Sequence, residues 1–211
     1  MLFLEENMET LKTILCLGDS ATFGYPFEKN PESTYPARLQ KILERRGGGF
    51  RVVNEGINGL TTQTLTPLLP KLLAQHQPDV VILMIGGNDM MQMLYANLGK
   101  PRPKVALPVF LRVQRLVNQI KSYVNLSGKT PQLIVSGYYA IDFMMREIVE
   151  FNRLLLDLFN VDLVTLENFG SFLDIEKAAA RKKMFYDLAH PNQLGYADIA
   201  KNMAKAIKLI S

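Results

Sequence analysis

The stretch ILCLGDSATFG, residues 14–24, sets the start of the fold. An apolar run of strand length ends in Gly18-Asp19-Ser20, and the next segment with a helical pattern begins only after a loop containing proline and glycine. Ser20 is therefore predicted to lie where a strand leaves its sheet, which is where ligands bind in an open parallel sheet. Two interpretations of this stretch stay open: a nucleophilic serine, or an ordinary turn, because Gly, Asp and Ser are all common in turns.

The composition predicts one globular domain. The 211 residues are 48% hydrophobic and 21% charged, which suffices for one buried core and is short for two. We expect a single domain over residues 1–211, with residues 1–10 as a loosely ordered N-terminal extension. No segment has the roughly 18 consecutive apolar residues of a membrane span. Residues 1–9 carry three glutamates where a signal peptide would be positively charged, so we expect a cytoplasmic location.

The charge pattern and the single cysteine give no sign of a nucleic-acid-binding protein or of a reactive thiol. The net charge of +4 comes from scattered Lys and Arg, without a basic stripe that alternates with aromatic residues, so we expect no nucleic-acid partner. The densest basic run, residues 181–183, is interpreted as a solvated helix end, with attraction of an anionic group as the alternative. Cys16 is the only cysteine and lies in an apolar run, so it is predicted to be a small core residue.

Strand and helix patterns alternate along the whole chain. This alternation predicts an α/β fold with right-handed crossovers, a parallel sheet and helices on both faces, that is, a three-layer α/β/α sandwich. Five strands in this length fit a flavodoxin-like order, 2-1-3-4-5, by analogy. Residues 90–107 are predicted to be irregular. Strands are predicted at 13–18, 50–54, 80–85, 133–135 and 161–166, and helices at about 34–46, 62–76, 108–125, 146–160, 172–181 and 192–210.

Strand ends bring distant residues together. In a parallel sheet the carboxyl ends of the strands meet at one edge, so the loops containing Ser20, Gly59, Asn88 and Tyr138 are expected to lie side by side. A serine nucleophile also needs a base, because the protonated hydroxyl is a weak nucleophile. Of the two histidines, His76 is interpreted as a surface residue near a helix end.

His190 is the better candidate base. It follows Asp187 by three residues and precedes a predicted helix, so the carboxylate can fix the imidazole tautomer while Nε2 faces the serine. The alternative is an Asp–His pair that only caps that helix. Acyl transfer further needs donors aimed at the oxyanion, and the backbone N–H groups of Ser20 and Gly59 with the Asn88 amide can supply them. The alternative for Gly59 and Asn88 is that both are turn residues.

Four segments in order resemble the sequence blocks of the GDSL or SGNH hydrolase family. The resemblance implies that Ser20, Gly59, Asn88 and His190 are the four residues of the family's name and that Asp187 completes the triad. It also implies metal-independent ester hydrolysis without a cofactor. Ala21 and Leu60 depart from residues common in the blocks, Leu and Asp respectively. The blocks are Gly18-Asp19-Ser20 with Thr22 and Gly24; Asn54-Glu55-Gly56-Ile57-Asn58-Gly59; Gly86-Gly87-Asn88-Asp89; and Asp187-Leu188-Ala189-His190-Pro191-Asn192.

The expected partner is a small-molecule ester. Apolar and aromatic residues follow the third and fourth predicted strands. They could line an apolar acyl pocket, or they could belong to helix faces that pack on the core or form a dimer contact. We favour a short- or medium-chain acyl ester, lysophospholipid-like or thioester-like, over a carbohydrate O-acetyl ester. A nucleotide-binding module and a metal-dependent hydrolase are weaker alternatives, since phosphate-loop glycines and paired metal ligands are missing. The candidate pocket residues are Met90, Met91, Tyr95, Tyr138 and Tyr139.

Overall fold

The computed structural model describes residues 11–96, 103–136, 162–164, 183–187 and 190–208. The predicted helices at 146–160 and 172–181, together with Tyr138 and Tyr139, lie outside the described residues. The strands are β1 (Lys12–Gly18), β2 (Phe50–Gly56), β3 (Val80–Met84), β4 (Gln132–Ser136) and β5 (Asp162–Val164). The described helices are α1 (Ser20–Phe23), α2 (Tyr35–Arg45), α3 (Thr62–His76), α4 (Gly87–Ala96), α5 (Pro103–Ser122) and α6 (Gln193–Ala206).

The strands form one parallel sheet in the order β2-β1-β3-β4-β5. β1 lies inside the sheet: Leu15 is in register with Val53 of β2 on one side and with Val81 of β3 on the other. The described part of the predicted fifth strand is only three residues long and pairs with the end of β4. The α/β class with a parallel sheet is therefore confirmed.

Alternate residues of the inner strands serve two separate cores. Leu15 and Leu17 of β1 are fully buried on one face, in a cluster that includes side chains of α3 and α5. Ile14 and Cys16 are fully buried on the opposite face, in a second cluster with side chains of α2 and α6. Because successive side chains of a strand point to opposite faces, an uninterrupted apolar strand needs helices on both sides. The three layers predicted from the sequence are therefore present.

Helix α3 accommodates two prolines without a break. It begins with a capping box in which the Thr61 and Thr64 side chains bond each other's backbone N–H. Pro67 and Pro70 lie inside it, and both face solvent, so the carbonyls that lose a partner have access to water. A helix that restarts at Thr66, with Pro67 in its first turn, would also suit this sequence but is not what forms.

The prediction of an irregular segment at 90–107 is wrong over its described part. Helix α4 begins at Gly87 and continues to Ala96, and α5 begins at Pro103, five residues before the predicted start. The residues Gly87-Asn88-Asp89 favour a turn when considered alone, but Met, Gln and Leu after them are good helix formers. Proline at a helix start costs little, since its missing N–H would be unpaired there. Within the described ranges, none of the helices has both the length and the apolarity needed to cross a bilayer.

Candidate active site

Ser20 lies at the carboxyl end of β1, in the first position of the single helical turn α1. The side chain of Asp19 accepts a hydrogen bond from the Ala21 N–H at 3.2 Å and so caps this turn. The sequence predicted a loop here; the turn forms because Asp19 caps it and Gly24, at φ +106°, ends it. Ser20 is 8% exposed, so it is largely enclosed at the sheet edge.

The end of β2 presses against this turn. A Cβ built on Gly56 would lie 2.2 Å from the Phe23 backbone nitrogen, so only glycine allows β2 to approach α1 this closely. Gly59 has a φ of +77°, a conformation that side chains disfavour. Two glycines three residues apart favour a turn that needs close backbone approach or a positive φ, and here Gly56 serves the first need and Gly59 the second.

His190 joins Ser20 to Asp187 although 170 residues separate it from the serine. Ser20 Oγ lies 3.1 Å from His190 Nε2. His190 Nδ1 lies 2.8 Å from Asp187 Oδ2 and 3.0 Å from Asp187 Oδ1. Asp187 Oδ1 also accepts the backbone N–H of His190 at 2.7 Å. With the carboxylate accepting from Nδ1–H, Nε2 carries the lone pair that faces the serine hydroxyl.

The loop that carries His190 is anchored independently of that pair. Phe185 and Pro191 form an antiparallel bridge, and the Tyr186 N–H donates to the His190 carbonyl at 2.8 Å. Helix α6 is capped by Asn192, whose side chain accepts from the N–H groups of Leu194 and Gly195. The interpretation of the Asp–His pair as the cap of the last helix is therefore wrong.

Tyr25 is a neighbour of His190 that the sequence did not reveal. Its ring centroid lies 4.5 Å from that of His190, at an interplanar angle of 56°. The Tyr196 hydroxyl of α6 donates to the Tyr25 carbonyl at 2.7 Å, which ties the Tyr25 loop to the helix following His190. A tyrosine in a loop five residues after Ser20 carries no periodic signal, so only the fold brings it to the imidazole.

Asn88 is oriented by the loop that follows Gly59. Asn88 Nδ2 donates to the Leu60 carbonyl at 3.0 Å. An amide nitrogen has two hydrogens, so this bond fixes the plane of the amide and leaves a second donor. The same loop is fixed to β1, because the Ile57 N–H donates to the Gly18 carbonyl at 3.0 Å.

Of the remaining predicted residues, Met90 packs in the core with the side chains of α3 and α5 and is 5% exposed. Its burial agrees with the alternative of a helix face packed on the core, and the acyl-pocket interpretation of Met90 is not supported. Met91 is half-buried and Tyr95 is 72% exposed. His76 is less exposed than predicted, at 12% of its side chain, and its Nε2 pairs with Glu55 Oε1 at 2.7 Å. No group of three potential metal ligands occurs in the part of the chain that the structure describes.

The Asp19 carboxyl has a perturbed pKa. Burial raises the pKa of Asp19 from 3.8 to about 6, although the hydrogen bond from the Ala21 N–H and the nearby His190 act in the opposite direction. A raised carboxyl pKa means that the folded state binds the proton more tightly than the unfolded chain does. Asp19 therefore favours the folded state most at low pH, and this contribution is lost as the pH rises from about 4 to about 6.

Asp19→Asn is expected to remove this pH dependence. The free energy of unfolding of the wild type, minus that of the variant, should fall by on the order of 2–3 kcal/mol between pH 4 and pH 7. Asparagine keeps an oxygen for the Ala21 N–H but has no proton to lose. Urea unfolding of both proteins at the two pH values measures the difference, in which the titrating groups that do not interact with Asp19 cancel. An equal difference at pH 4 and pH 7 would contradict the prediction.

Comparisons with known proteins point to one family. Residues 16–197 match the model of the GDSL-like lipase/acylhydrolase family. The chain is 38% identical over 88 residues to an arylesterase of Vibrio mimicus, covering 41% of this chain and 42% of the relative. It is 30% identical over 132 residues to the esterase TesA of Pseudomonas aeruginosa, covering 58% of this chain and 65% of the relative. Both matches span less than two thirds of the relative's length.

A solved structure extends the likeness in fold over nearly the whole chain. A crystal structure of TesA superposes with a TM-score of 0.70, covering 93% of this chain and 98% of that one, at 22% identity. At that identity the superposition shows a shared fold alone.

Proposed function

We propose, from the premise that the chain belongs to the GDSL-like lipase/acylhydrolase family, that it is a serine esterase. The observation that carries the proposal is the hydrogen-bonded series Ser20, His190 and Asp187, which joins β1 to the loop before α6. This arrangement is that of a nucleophile, its base and the group that orients the base. Relatives named arylesterase and esterase support the same reaction.

The proposed reaction is a two-step acyl transfer. His190 Nε2 accepts the Ser20 proton while Oγ attacks the ester carbonyl, and the imidazolium then protonates the leaving alcohol. A water molecule repeats the sequence to release the acid and free the serine. Asp187 holds the imidazole tautomer and stabilises the imidazolium, while itself staying ionised.

The proposed oxyanion donors are the backbone N–H groups of Ser20 and Gly59 and the Asn88 amide. Charge on the carbonyl oxygen develops only in the transition state, so donors fixed beforehand lower the barrier without strengthening substrate binding equally. The bond from Asn88 to the Leu60 carbonyl supports this role, because it fixes the amide before substrate arrives.

The substrate is proposed to be a short- or medium-chain carboxylic ester. Apolar side chains border the turn that carries Ser20: Phe23 in α1 is 37% exposed, and Ile57, whose N–H bonds the end of β1, is 43% exposed. A carbohydrate O-acetyl ester is the alternative. Initial rates on aryl esters of increasing acyl length, compared with acetylated sugars, separate the two, and turnover of the sugars alone would exclude the apolar preference.

A fluorophosphonate probe is expected to label the wild-type protein at one site. Phosphonylation requires an activated serine, so the Ser20→Ala variant should lose the label completely. Ser122→Ala, which changes an exposed serine at the end of α5, is the matched control and should be labelled as the wild type is. Labelling is measured by intact-protein mass and peptide mapping, with and without a chelator. Label retained in Ser20→Ala, or lost on chelation, would contradict the proposed function.

A further inference from the structure

Asp89, the residue after Asn88, is a buried carboxylate with an assigned partner for each oxygen. Its side chain is 2% exposed. Oδ2 accepts the Thr62 backbone N–H at 2.8 Å, and Oδ1 accepts the Thr62 hydroxyl. A carboxylate buried to this extent is costly unless it is paired. The proposed reaction gives Asp89 no task, so its burial needs another explanation.

Arg112 of α5 completes the cluster. Its Nε donates to the Thr62 hydroxyl oxygen at 2.9 Å, and its Nη2 lies 3.4 Å from Asp89 Oδ1. The Thr62 hydroxyl therefore donates to the carboxylate and accepts from the guanidinium, which fixes its orientation. Three helices meet here, because Asp89 lies in α4, Thr62 begins α3 and Arg112 belongs to α5.

Two consecutive residues of α4 thus hold the segment that follows Gly59. Asn88 binds the Leu60 carbonyl, and Asp89 binds both the N–H and the hydroxyl of Thr62. The chain from Leu60 to Thr62 is thus bonded to α4 at both ends, and Gly59 directly precedes it. Together with the bond from the Ile57 N–H to the Gly18 carbonyl, the Asp89 carboxylate limits how far this segment can move relative to Asn88.

We propose that Asp89 is a positioning residue, which acts through Thr62 and with Arg112 to hold the backbone of Gly59 and the amide of Asn88 in register as oxyanion donors. The inference rests on the proposed function. Oxyanion donors act over hydrogen-bond distances of about 2.7–3.1 Å, so a small shift of the Gly59 segment relative to Asn88 is enough to weaken them. The Asn88 amide would also rotate if the Leu60 carbonyl moved.

The first test is Asp89→Asn. An asparagine that keeps its oxygen on the Thr62 N–H turns its NH₂ group toward the Thr62 hydroxyl, where it competes with Arg112 as a second donor. We expect kcat for an aryl ester to fall roughly 10- to 100-fold while KM changes less than about 3-fold, since the oxyanion exists only in the transition state. Asp79→Asn is the matched control, because Asp79 accepts the Thr13 N–H at 2.8 Å at the opposite end of the sheet. It should lower the urea midpoint without changing kcat.

A double-mutant cycle separates positioning from general destabilisation. Asn88→Ala alone should lower kcat by about 10²–10³. If Asp89 acts through both donors, adding Asp89→Asn to Asn88→Ala should lower kcat by only a few fold more, since one of the two donors that it positions is already absent and only the contribution of Gly59 is left to lose. Fully multiplicative losses, or a raised KM with unchanged kcat, would overturn the inference.

Thr62 provides a second pair of variants should Asp89→Asn fail to fold. Thr62→Ser keeps the hydroxyl and should retain kcat within about 3-fold, whereas the isosteric Thr62→Val removes it and should lower kcat about 10-fold or more. Folded Val and Ser variants with equal kcat would overturn the inference while leaving the proposed function intact. A wild type that cleaves no ester would refute both.

Discussion

His190→Ala is expected to lower kcat for an aryl ester by roughly 10⁴ to 10⁶, the largest loss we expect from a single substitution outside Ser20. The Ser20 hydroxyl keeps its proton at neutral pH unless a base accepts it as the bond to carbon forms. His190 Nε2 lies 3.1 Å from Ser20 Oγ and is the group placed to accept it. Initial rates of the wild type and of the variant measure the loss. Active-site titration gives the concentration of active wild-type enzyme, and circular dichroism confirms that the variant is folded.

The chain supplies its own control for this experiment. It contains two histidines, and His76 pairs with Glu55 rather than with Ser20. His76→Ala should lower the urea midpoint and leave kcat within about 3-fold of the wild type. Because nucleophile and base act as a unit, Ser20→Ala, His190→Ala and the double variant should have nearly equal residual rates. A His190→Ala variant with most of the activity would contradict the assignment of the base.

The fold was predictable where one physical signal dominated. The buried strands are uninterrupted apolar runs, which a sheet covered by helices on both faces requires. Leu15 and Cys16 are examples, because they pack into the two cores on opposite sides of the sheet. Helix α4 was missed because Gly87-Asn88-Asp89 has turn composition, and what stabilises it there is a tertiary contact between Asp89 and the start of α3. A contact between segments 27 residues apart leaves no local periodicity.

Part of the candidate site was also predictable from the sequence. Parallel topology brings the strand ends to one edge, so Ser20 could be linked to the loops of Gly59 and Asn88, and the shortage of histidines left His190 as the candidate base. The ring of Tyr25 beside His190 and the bond from Asn88 to the Leu60 carbonyl depend on loop conformations that the sequence pattern does not encode. The assignment of Met90 to a pocket is not supported by its burial in the core, and the sequence could not separate the two, because a methionine near a strand end has the same signature whether it faces a ligand or the core.

Asp187→Asn is expected to lower kcat by up to about 10⁴, by analogy with other serine hydrolases. The geometry explains how so small a change acts. Asp187 Oδ1 accepts the His190 backbone N–H at 2.7 Å, so an asparagine at this position keeps its carbonyl oxygen on that donor and turns its NH₂ group toward Nδ1. Nδ1 must then accept a hydrogen bond, which moves the ring proton to Nε2. A protonated Nε2 cannot accept the Ser20 proton, so the base is lost although every side chain stays in position.

The pH dependence of the variant separates this mechanism from a loss of folding. Hydroxide competes for the serine proton, so the residual rate of Asp187→Asn should rise with pH more steeply than that of the wild type, whereas a misfolded protein gains nothing at high pH. Asp198→Asn is the matched control, since Asp198 bonds Asn202 within α6, outside the site, and should leave kcat unchanged. A folded Asp187→Asn variant with kcat within about 10-fold of the wild type would show that the carboxylate does not set the tautomer, and the triad would then reduce to Ser20 and His190.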